Sequence, residues 1–530
     1  MSLGPDSRPR SLALDAGVAG LLTAGAALLA RLALTDAQLD AGFLFGDRGH
    51  NLLIAQTLLS GGRLYRDVFS QYGPVPAHAH AAFAAVFGNT PTTYLTFAAF
   101  FSCLNVPLAY ALARRAAGVP VAAGVTLAFL TLSLVPGSLV GGYTDAAYIS
   151  IERSVLLLVA LGWRVPDGRS VSRSLWLGCL LGVWQGVRFG GTFFAGAAIL
   201  LLDGLYVHGV GWSADRGRAW MRSLAVVLAA FAAVEAVWAV LVFSTLDPAL
   251  AIDVLWPRYM LRQYESWVTS DLRWIQWEGW RAMVAQYLLA AVAGALGIVA
   301  VGCWWVDLST PGRARMGPRT PDTAAVFVPL CFFVLALFTY FRMVHHFRQF
   351  AWTLVPAAAW GLERWGGAIR ATVGALWAPG VAVFLKSVLM PAAAGPLMAV
   401  VLPAGGTLHL SPDIVERVEF LRRFINTETP GVPVLFVGSR SGSGWVHAYR
   451  VPHATRHTWI WAPEILRPYE EETFIRALDL TAALIECDGN GLGESPPLPF
   501  PPAVAAAIRS RLRPWTQGAG CRTYHLQRPR

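Results

Sequence analysis

The chain has 530 residues, 55% of them hydrophobic and only 14% charged, with a mean hydropathy of +0.49. A soluble protein of this length carries about 25% charged residues, so the composition excludes an ordinary soluble enzyme and marks a polytopic membrane protein. The net charge of +10 is almost all arginine, because Lys386 is the lone lysine; no basic stripe falls on a soluble module, so nucleic-acid binding has no footing.

Apolar runs of about 20 residues, enough to cross a bilayer core of about 30 Å as a helix, recur through the first three quarters of the chain. The reading is an α-helical membrane protein with about eleven spans. They fall near Ser11–Leu34, Pro91–Ala113, Val119–Pro136, Ala147–Trp163, Ser174–Val187, Gly191–Val207, Ser223–Phe243, Ala282–Val306, Thr323–Phe341, Phe347–Leu362 and Ala371–Leu402. The fifth and sixth are short and also read as one bent pair around Arg188. The N-terminal run resembles a signal peptide, but it is long and no small-x-small cleavage site follows, so a retained first span is expected.

Arginine placement sets the expected orientation. With the N-terminus inside, Arg8, Arg10, Arg114, Arg115, Arg164, Arg169 and Arg173 fall on the cytoplasmic side of a cytoplasmic (inner) membrane. An odd number of spans then puts the C-terminal region outside the cytoplasm. A minority of arginines, among them Arg48, Arg63, Arg66, Arg342 and Arg348, falls outside against the rule and calls for another reason.

Three outer segments are long. The first, 35–90, contains "HNLLIAQTLL" and "PVPAHAHAAFAAVFG", too short or too polar to span and suited to lying on the membrane surface. The second, 244–281, is dense in tryptophan and arginine, which favour the headgroup layer. The third is the tail. In "SPDIVERVEFLRRFINTE", Ile414, Val418, Leu421 and Ile425 share one helical face behind the N-cap candidate Ser411. "VPVLFVG", "TAALIEC" and "CRTYHLQ" read as strands and "PEILRPYEEETFIRALDL" as a helix, so 407–530 is expected to be a small extracytoplasmic α/β domain. The remainder, 1–406, is then the transmembrane domain carrying both large outer loops. Cys487 and Cys521 end and begin candidate neighbouring strands; a disulfide and two free thiols both fit.

"GDRGHNLLIAQTLLSGGRLYRDVFSQYGP" carries the densest group of polar motifs. An acidic residue, Asp47, is followed by a surface helix and then by "GGRLYRDVFSQYGP". "GGYTD" supplies Asp145 after the third span, "GVRFG" places Arg188 in the middle hairpin, and "HHFRQFAWTLVP" carries His346 and Arg348. In this order the motifs resemble the C-fold class of integral-membrane glycosyltransferases, in the branch that includes protein O-mannosyltransferases and lipid A aminoarabinose transferases. The resemblance runs over most of the chain. It departs at one place: Arg48 follows Asp47 where that branch often has Asp-Glu.

The resemblance implies transfer of a sugar from a polyprenyl-phosphate donor to an acceptor (protein, lipid or glycan) on the outer face of the membrane. No cofactor is called for and no metal-ligand set is singled out, and the implied partners are the lipid-linked donor and the bilayer. An acceptor hydroxyl attacks the anomeric carbon, a carboxylate takes its proton, and cations stabilise the departing phosphate, a task for which the planar arginine fork is suited. The resemblance makes Asp47 and Asp145 the catalytic candidates, and Arg63, Arg66, Tyr72, Arg188, His346 and Arg348 the candidates for donor and phosphate binding.

Each residue has a plainer reading. Asp47 serves equally as a helix-start residue or an arginine partner, Asp145 as a cap of the fourth span, and Asp67 as a structural partner of a neighbouring arginine. The outer arginines also suit snorkelling to headgroups. Arg188, at membrane depth, is expected to be functional or paired. The adjacent pair His345–His346 points about 100° apart on a helix and is a poor chelator, as are His78 and His80. Two rival functions remain at this level: a transporter or flippase, and an inactive glycosyltransferase-like scaffold.

Overall fold

The computed structural model describes residues 12–33, 39–40, 42–70, 72–133, 147–165, 169–188, 191–255, 302, 305, 323–339, 351–365, 396–437, 442–458, 466–487 and 500–527. Its internal contacts divide the chain into two units, each assembled from separated stretches of sequence.

The first unit comprises Met1–Ala33, Ala98–Val240 and Asp271–Ala392. Its helices are α1 (Leu12–Ala33), most of α5 (Pro91–Ala116), α6 (Val119–Ser133), α7 (Ala147–Gly162), α8 (Val171–Val187), α9 (Gly191–Val210) and α10 (Ala214–Leu241), followed by α12 (Thr323–Thr339) and α13 (Val355–Trp365). Four helices among the described residues are long and apolar enough to cross a bilayer: Leu12–Arg31, Pro91–Ala116, Gly191–Val210 and Ala214–Thr245. At 1.5 Å per residue, the 26 residues of α5 extend about 39 Å, more than the hydrocarbon core requires. Leu12, Leu14, Leu21 and Leu28 of α1 are exposed in the isolated chain, the pattern of a lipid-facing helix.

Arginines at the helix ends are partnered. Arg114 donates Nε to Asp15 Oδ1 at 2.7 Å and Nη1 to the Ala117 carbonyl at 2.6 Å. Arg115 caps the end of α7 through the Ala160 and Leu161 carbonyls, satisfying helix-end acceptors that a bilayer would leave unpaired. Arg169 holds Asp203 with two hydrogen bonds of 2.7 and 3.0 Å, and Trp163 donates Nε1 to the same carboxylate at 3.0 Å.

The second unit comprises Leu34–Phe97, Leu241–Ser270 and Ala393–Arg530. The first outer segment contributes α2 (Gly42–Phe45), α3 (Asp47–Leu59) and α4 (Pro74–Phe87); the second contributes α11 (Pro248–Leu255). The tail opens with a hairpin, β1 (Met398–Val401) and β2 (Thr407–Leu410), and continues as α14 (Pro412–Glu428), β3 (Val434–Val437) and α15 (Gly442–Tyr449). Next come α16 (Pro468–Ala477), β4 (Ala483–Cys487), α17 (Pro502–Arg511), β5 (Leu512–Gly518) and β6 (Cys521–Leu526). The main sheet has the order β3-β4-β6-β5, with β3 and β4 parallel and the remaining pairs antiparallel. Leu435, Phe474, Leu484, Val504 and Ile508 form its core. A disulfide joins Cys487 to Cys521, which face each other in the β4–β6 register.

The sequence reading needs correction at two places. The eleventh expected span does not continue to Leu402, because Met398–Val401 form β1 of the hairpin. The positive φ of Gly405 and Gly406 turns the chain back into β2. Within the tenth, the described residues open with a 3₁₀ turn, Ala351–Leu354, before α13. The eighth expected span, residues 282–306, lies almost wholly outside the described residues.

Candidate functional site

Helix α3 begins at Asp47, behind Gly46 in extended conformation. Asp47 therefore occupies the first turn, where a carboxylate interacts favourably with the positive end of the helix dipole; the N-cap position itself has no side-chain bond. Asp47 is half-buried, and its carbonyl accepts a hydrogen bond from Asn51 Nδ2 at 2.8 Å. Arg48 turns to Asp40 at 3.5 Å and lies over the Phe43 ring, 5.5 Å from its centre.

One face of α3 packs on α15 of the tail. Gly49 and Gly444 bring the two backbones together: a Cβ on Gly49 would sit 2.5 Å from Gly444 Cα and run into the Phe43 carbonyl. A Cβ on Gly444 would run into the Phe43 and Leu44 carbonyls. Beside this contact, His50 Nδ1 is hydrogen-bonded to Ser443 Oγ at 2.9 Å, and Ser443 Oγ to Thr458 Oγ1 at 2.8 Å. Two turns along, His447 Nδ1 meets Gln56 Oε1 at 2.7 Å. Burial drives the pKa of His50 down to about 3 and that of His447 down to about 4, so both rings are neutral at pH 7.

The motif after α3 folds into a tight turn around Tyr65. Tyr65 has φ +66° and is fully buried, a left-handed conformation unfavourable for a bulky residue. Its surroundings over-determine it. The hydroxyl donates to the Tyr72 carbonyl at 2.7 Å, the amide to Val68 O at 2.9 Å, and the ring stacks on Phe243. Arg456 from the tail donates to the Tyr65 carbonyl at 2.7 Å. Arg456 in turn pairs with Glu470, which also meets His457 Nε2 at 3.0 Å. Burial opposes the Glu470 charge, but His457 and Arg456 outweigh it and hold the carboxyl at about 2.

Asp67 receives the Arg63 amide at 2.7 Å and grips Arg66 through two bonds of 2.8 Å. The Arg66 hydrogen bonds hold its carboxyl below the usual carboxylate range. Arg66 is thus engaged by its own neighbour. Tyr72 is half-buried, its amide donating to Ser70 Oγ at 3.2 Å.

Arg63 and His78 stand at the lining of a cavity of about 430 Å³. Its other walls are mostly apolar: Leu58 and Leu59 at the end of α3, Ala82 of α4, and Leu241 and Val242, with Thr245 beside them. Asp47 and Arg63 are at opposite ends of α3, whose 13 residues measure about 18 Å along the axis. The carboxylate and this cavity therefore do not share one pocket.

In the first unit, Arg188 closes α8 and donates Nη1 to Glu152 Oε2 at 3.4 Å; Trp184 Nε1 donates to the other carboxylate oxygen at 3.2 Å. Glu152 is fully buried. Asp145, His346 and Arg348 lie outside the described residues. The reading from sequence overlooked Glu152, although a carboxylate inside "AYISIERSVLLLVALG" implies a buried partner. It also overlooked His50, Ser443, His447, Arg456 and Glu470, whose pairing across hundreds of residues has no local signature. Among the described residues, no group of three or more His, Cys, Asp or Glu side chains is placed to hold a metal ion.

No family model matches the chain, and neither does any curated protein sequence. Solved structures do. The Cupriavidus metallidurans ArnT structure bound to undecaprenyl phosphate matches with a TM-score of 0.51 and 13% identity, over 97% of this chain and 99% of the other. An Archaeoglobus fulgidus oligosaccharyltransferase in complex with zinc and sulfate matches with a TM-score of 0.50 and 13% identity, over 88% of this chain and 68% of the other. Both are C-fold glycosyltransferases, and the likeness gives this chain their fold.

Proposed function

We propose that this protein transfers a sugar from a polyprenyl-phosphate donor to an acceptor on the outer face of the cytoplasmic membrane, with the tail on that outer side. The observation that carries the reading is the cavity beside α3, apolar on most sides with Arg63 and His78 at its lining, in a chain with the fold of the C-fold glycosyltransferases. An apolar groove with a polar rim suits the isoprenoid chain of an amphiphile whose anionic head lies outside it. The undecaprenyl phosphate bound by the similar ArnT structure is such a molecule.

The length of α3 gives its ends different tasks. At one end Asp47 takes the proton of the acceptor hydroxyl as that oxygen bonds to the anomeric carbon. At the other, the groove receives the isoprenoid chain, which is long enough to run the length of α3, and Arg63 and His78 keep it at the polar boundary. Electrons of the broken glycosidic bond leave on the lipid phosphate, whose growing charge needs fixed cations. Arg348 is a candidate for that role and Arg188, engaged by Glu152, a weaker one; Asp145 is a second candidate acid or base, and His346 and Tyr72 are candidates for donor binding. Arg66, engaged by Asp67, is a weaker candidate.

The test uses the full chain in proteoliposomes with a panel of undecaprenyl-phosphate mannose, glucose and arabinose, together with a cell-envelope extract that supplies protein, lipid and glycan hydroxyls as acceptors, reading release of undecaprenyl phosphate. Asp47→Asn is expected to lower turnover by about 10²–10⁴-fold, the range of general acid–base catalysis. Arg63→Ala is expected to weaken retention of undecaprenyl phosphate by about threefold to tenfold, corresponding to about 0.7–1.4 kcal/mol. Full activity of Asp47→Asn would remove the base assignment. A panel in which every donor stays intact would remove the transferase reading.

A further inference from the structure

We infer that tail helix α15 is a positioning element for the Asp47 end of α3, acting through Ser443, Gly444 and His447. The inference rests on the reading of Asp47 as the base.

Gly444 abuts the carbonyls of Phe43 and Leu44, which belong to α2, the short helix one residue ahead of Asp47. A side chain there would have to move that backbone, and the start of α3 with it. Gly49, two residues after Asp47, also lies against Gly444 and the Phe43 carbonyl. The contact is fixed in register by two hydrogen bonds, His50 to Ser443 between buried groups and half-buried Gln56 to buried His447. Ser443 is tied in turn to Thr458, so its hydroxyl is held by a third segment. Arg456, two residues before Thr458, holds the Tyr65 carbonyl and is anchored by Glu470. The tail thus grips the outer loop at the helix start and again at the turn that follows the helix.

Helices that touch backbone to backbone have little slack, because close-packed interiors transmit displacements instead of absorbing them. A shift of about 1 Å in a catalytic group can cost about 10²-fold in rate. Adding one methyl at Gly444 is therefore expected to reach Asp47 although residue 444 touches no reactant.

The experiment measures turnover and donor KM in proteoliposomes with the same donor panel. Gly444→Ala and Ser443→Ala are each expected to lower kcat by about tenfold to a hundredfold, with donor KM changed less than about twofold. Ser443→Thr, which keeps the hydroxyl, is expected to restore kcat. Ile508→Val in the tail core serves as the comparison: it lowers thermal stability and leaves kcat alone. Folded Gly444→Ala and Ser443→Ala proteins with unchanged kcat would overturn the inference, and if Gly444→Ala fails to fold, the Ser443 pair decides.

A second measurement needs no activity. In an Asp47→Cys protein, maleimide labelling of residue 47 is followed by mass spectrometry with and without Gly444→Ala. Thiol reactivity depends on its place at the helix N-terminus, so the labelling rate is expected to change by at least about threefold. An unchanged rate overturns the positioning role. An active Asp47→Asn protein removes the base reading, and the labelling result then decides whether α15 sets the position of residue 47.

Discussion

Arg188 ends its helix with its guanidinium against Glu152, a carboxylate with no solvent exposure. Removing one member of a buried pair leaves an uncompensated charge and costs about 3–5 kcal/mol, while replacing both with apolar residues of similar size is often neutral or stabilising. Glu152→Ala is therefore expected to lower thermal stability in detergent strongly, and Glu152→Leu combined with Arg188→Met to recover most of it. Equal stability of the single variant and the parent would show that the pair carries no net weight. At this scale the sequence was informative where one residue implied its own chemistry. A lone arginine at membrane depth demands a partner, and Arg188 has one. Asp47 was more ambiguous from sequence: capping, pairing and catalysis all fit "FGDRGH", and only the coordinates put it in the first turn of α3, with Arg48 turned away toward Asp40.

Elements built on a strong period were legible. α14 buries Val418, Leu421, Phe424 and Ile425, the expected face with Phe424 added and Ile414 only half-buried. The apolar runs at Val434–Val437 and Ala483–Cys487 are strands. β5 escaped notice because "LRPWTQG" contains a proline and alternates weakly; it is a sheet-edge strand beside β6, a position proline tolerates. The β1–β2 hairpin escaped because Met398–Val401 continues an apolar run, and composition does not distinguish the end of a span from a short strand. Cysteine spacing left the redox state open until β4 and β6 became neighbours. The Cys487–Cys521 bond closes a loop with a sequence separation of 34, which by loop entropy stabilises the folded tail by about 3–4 kcal/mol. Cys487→Ser, or reduction by dithiothreitol, is expected to lower the unfolding temperature of the tail. No change on reduction would indicate that the two thiols are unpaired in the native protein, and would weaken the proposal that this sheet lies on an oxidising side of the membrane.

At the scale of the molecule, the sequence order of outer loops and tail conceals a shared unit. Residues of 35–90, 241–255 and 396–527 pack together, tied by long-range contacts such as His50 with Ser443, Arg456 with Tyr65, and Tyr469 with Asp253. No periodicity reports such pairings, since each side sees an ordinary polar residue in a loop or a helix. Their chemistry leaves a signature in pH dependence. Burial lowers the pKa of His50 to about 3 and of His80, His447 and His457 to about 4, from an ordinary 6.5. A histidine whose folded pKa is depressed binds more protons when unfolded, so its stabilising contribution is complete above pH 6.5 and is lost as pH falls toward 4. Each such ring costs on the order of 1 kcal/mol per pH unit across that window. Glu470, also depressed, adds a loss below its ordinary 4.5. The expected result is an unfolding temperature that is flat from pH 8 to 7 and falls steeply between pH 6 and 4.5. Replacing His50 with Gln is expected to flatten part of that slope even where it lowers stability at pH 7. An unfolding temperature independent of pH across this window would mean that the four rings are hydrated in the folded state, and that the packing of α3 against α15 and α4 is looser than their burial indicates.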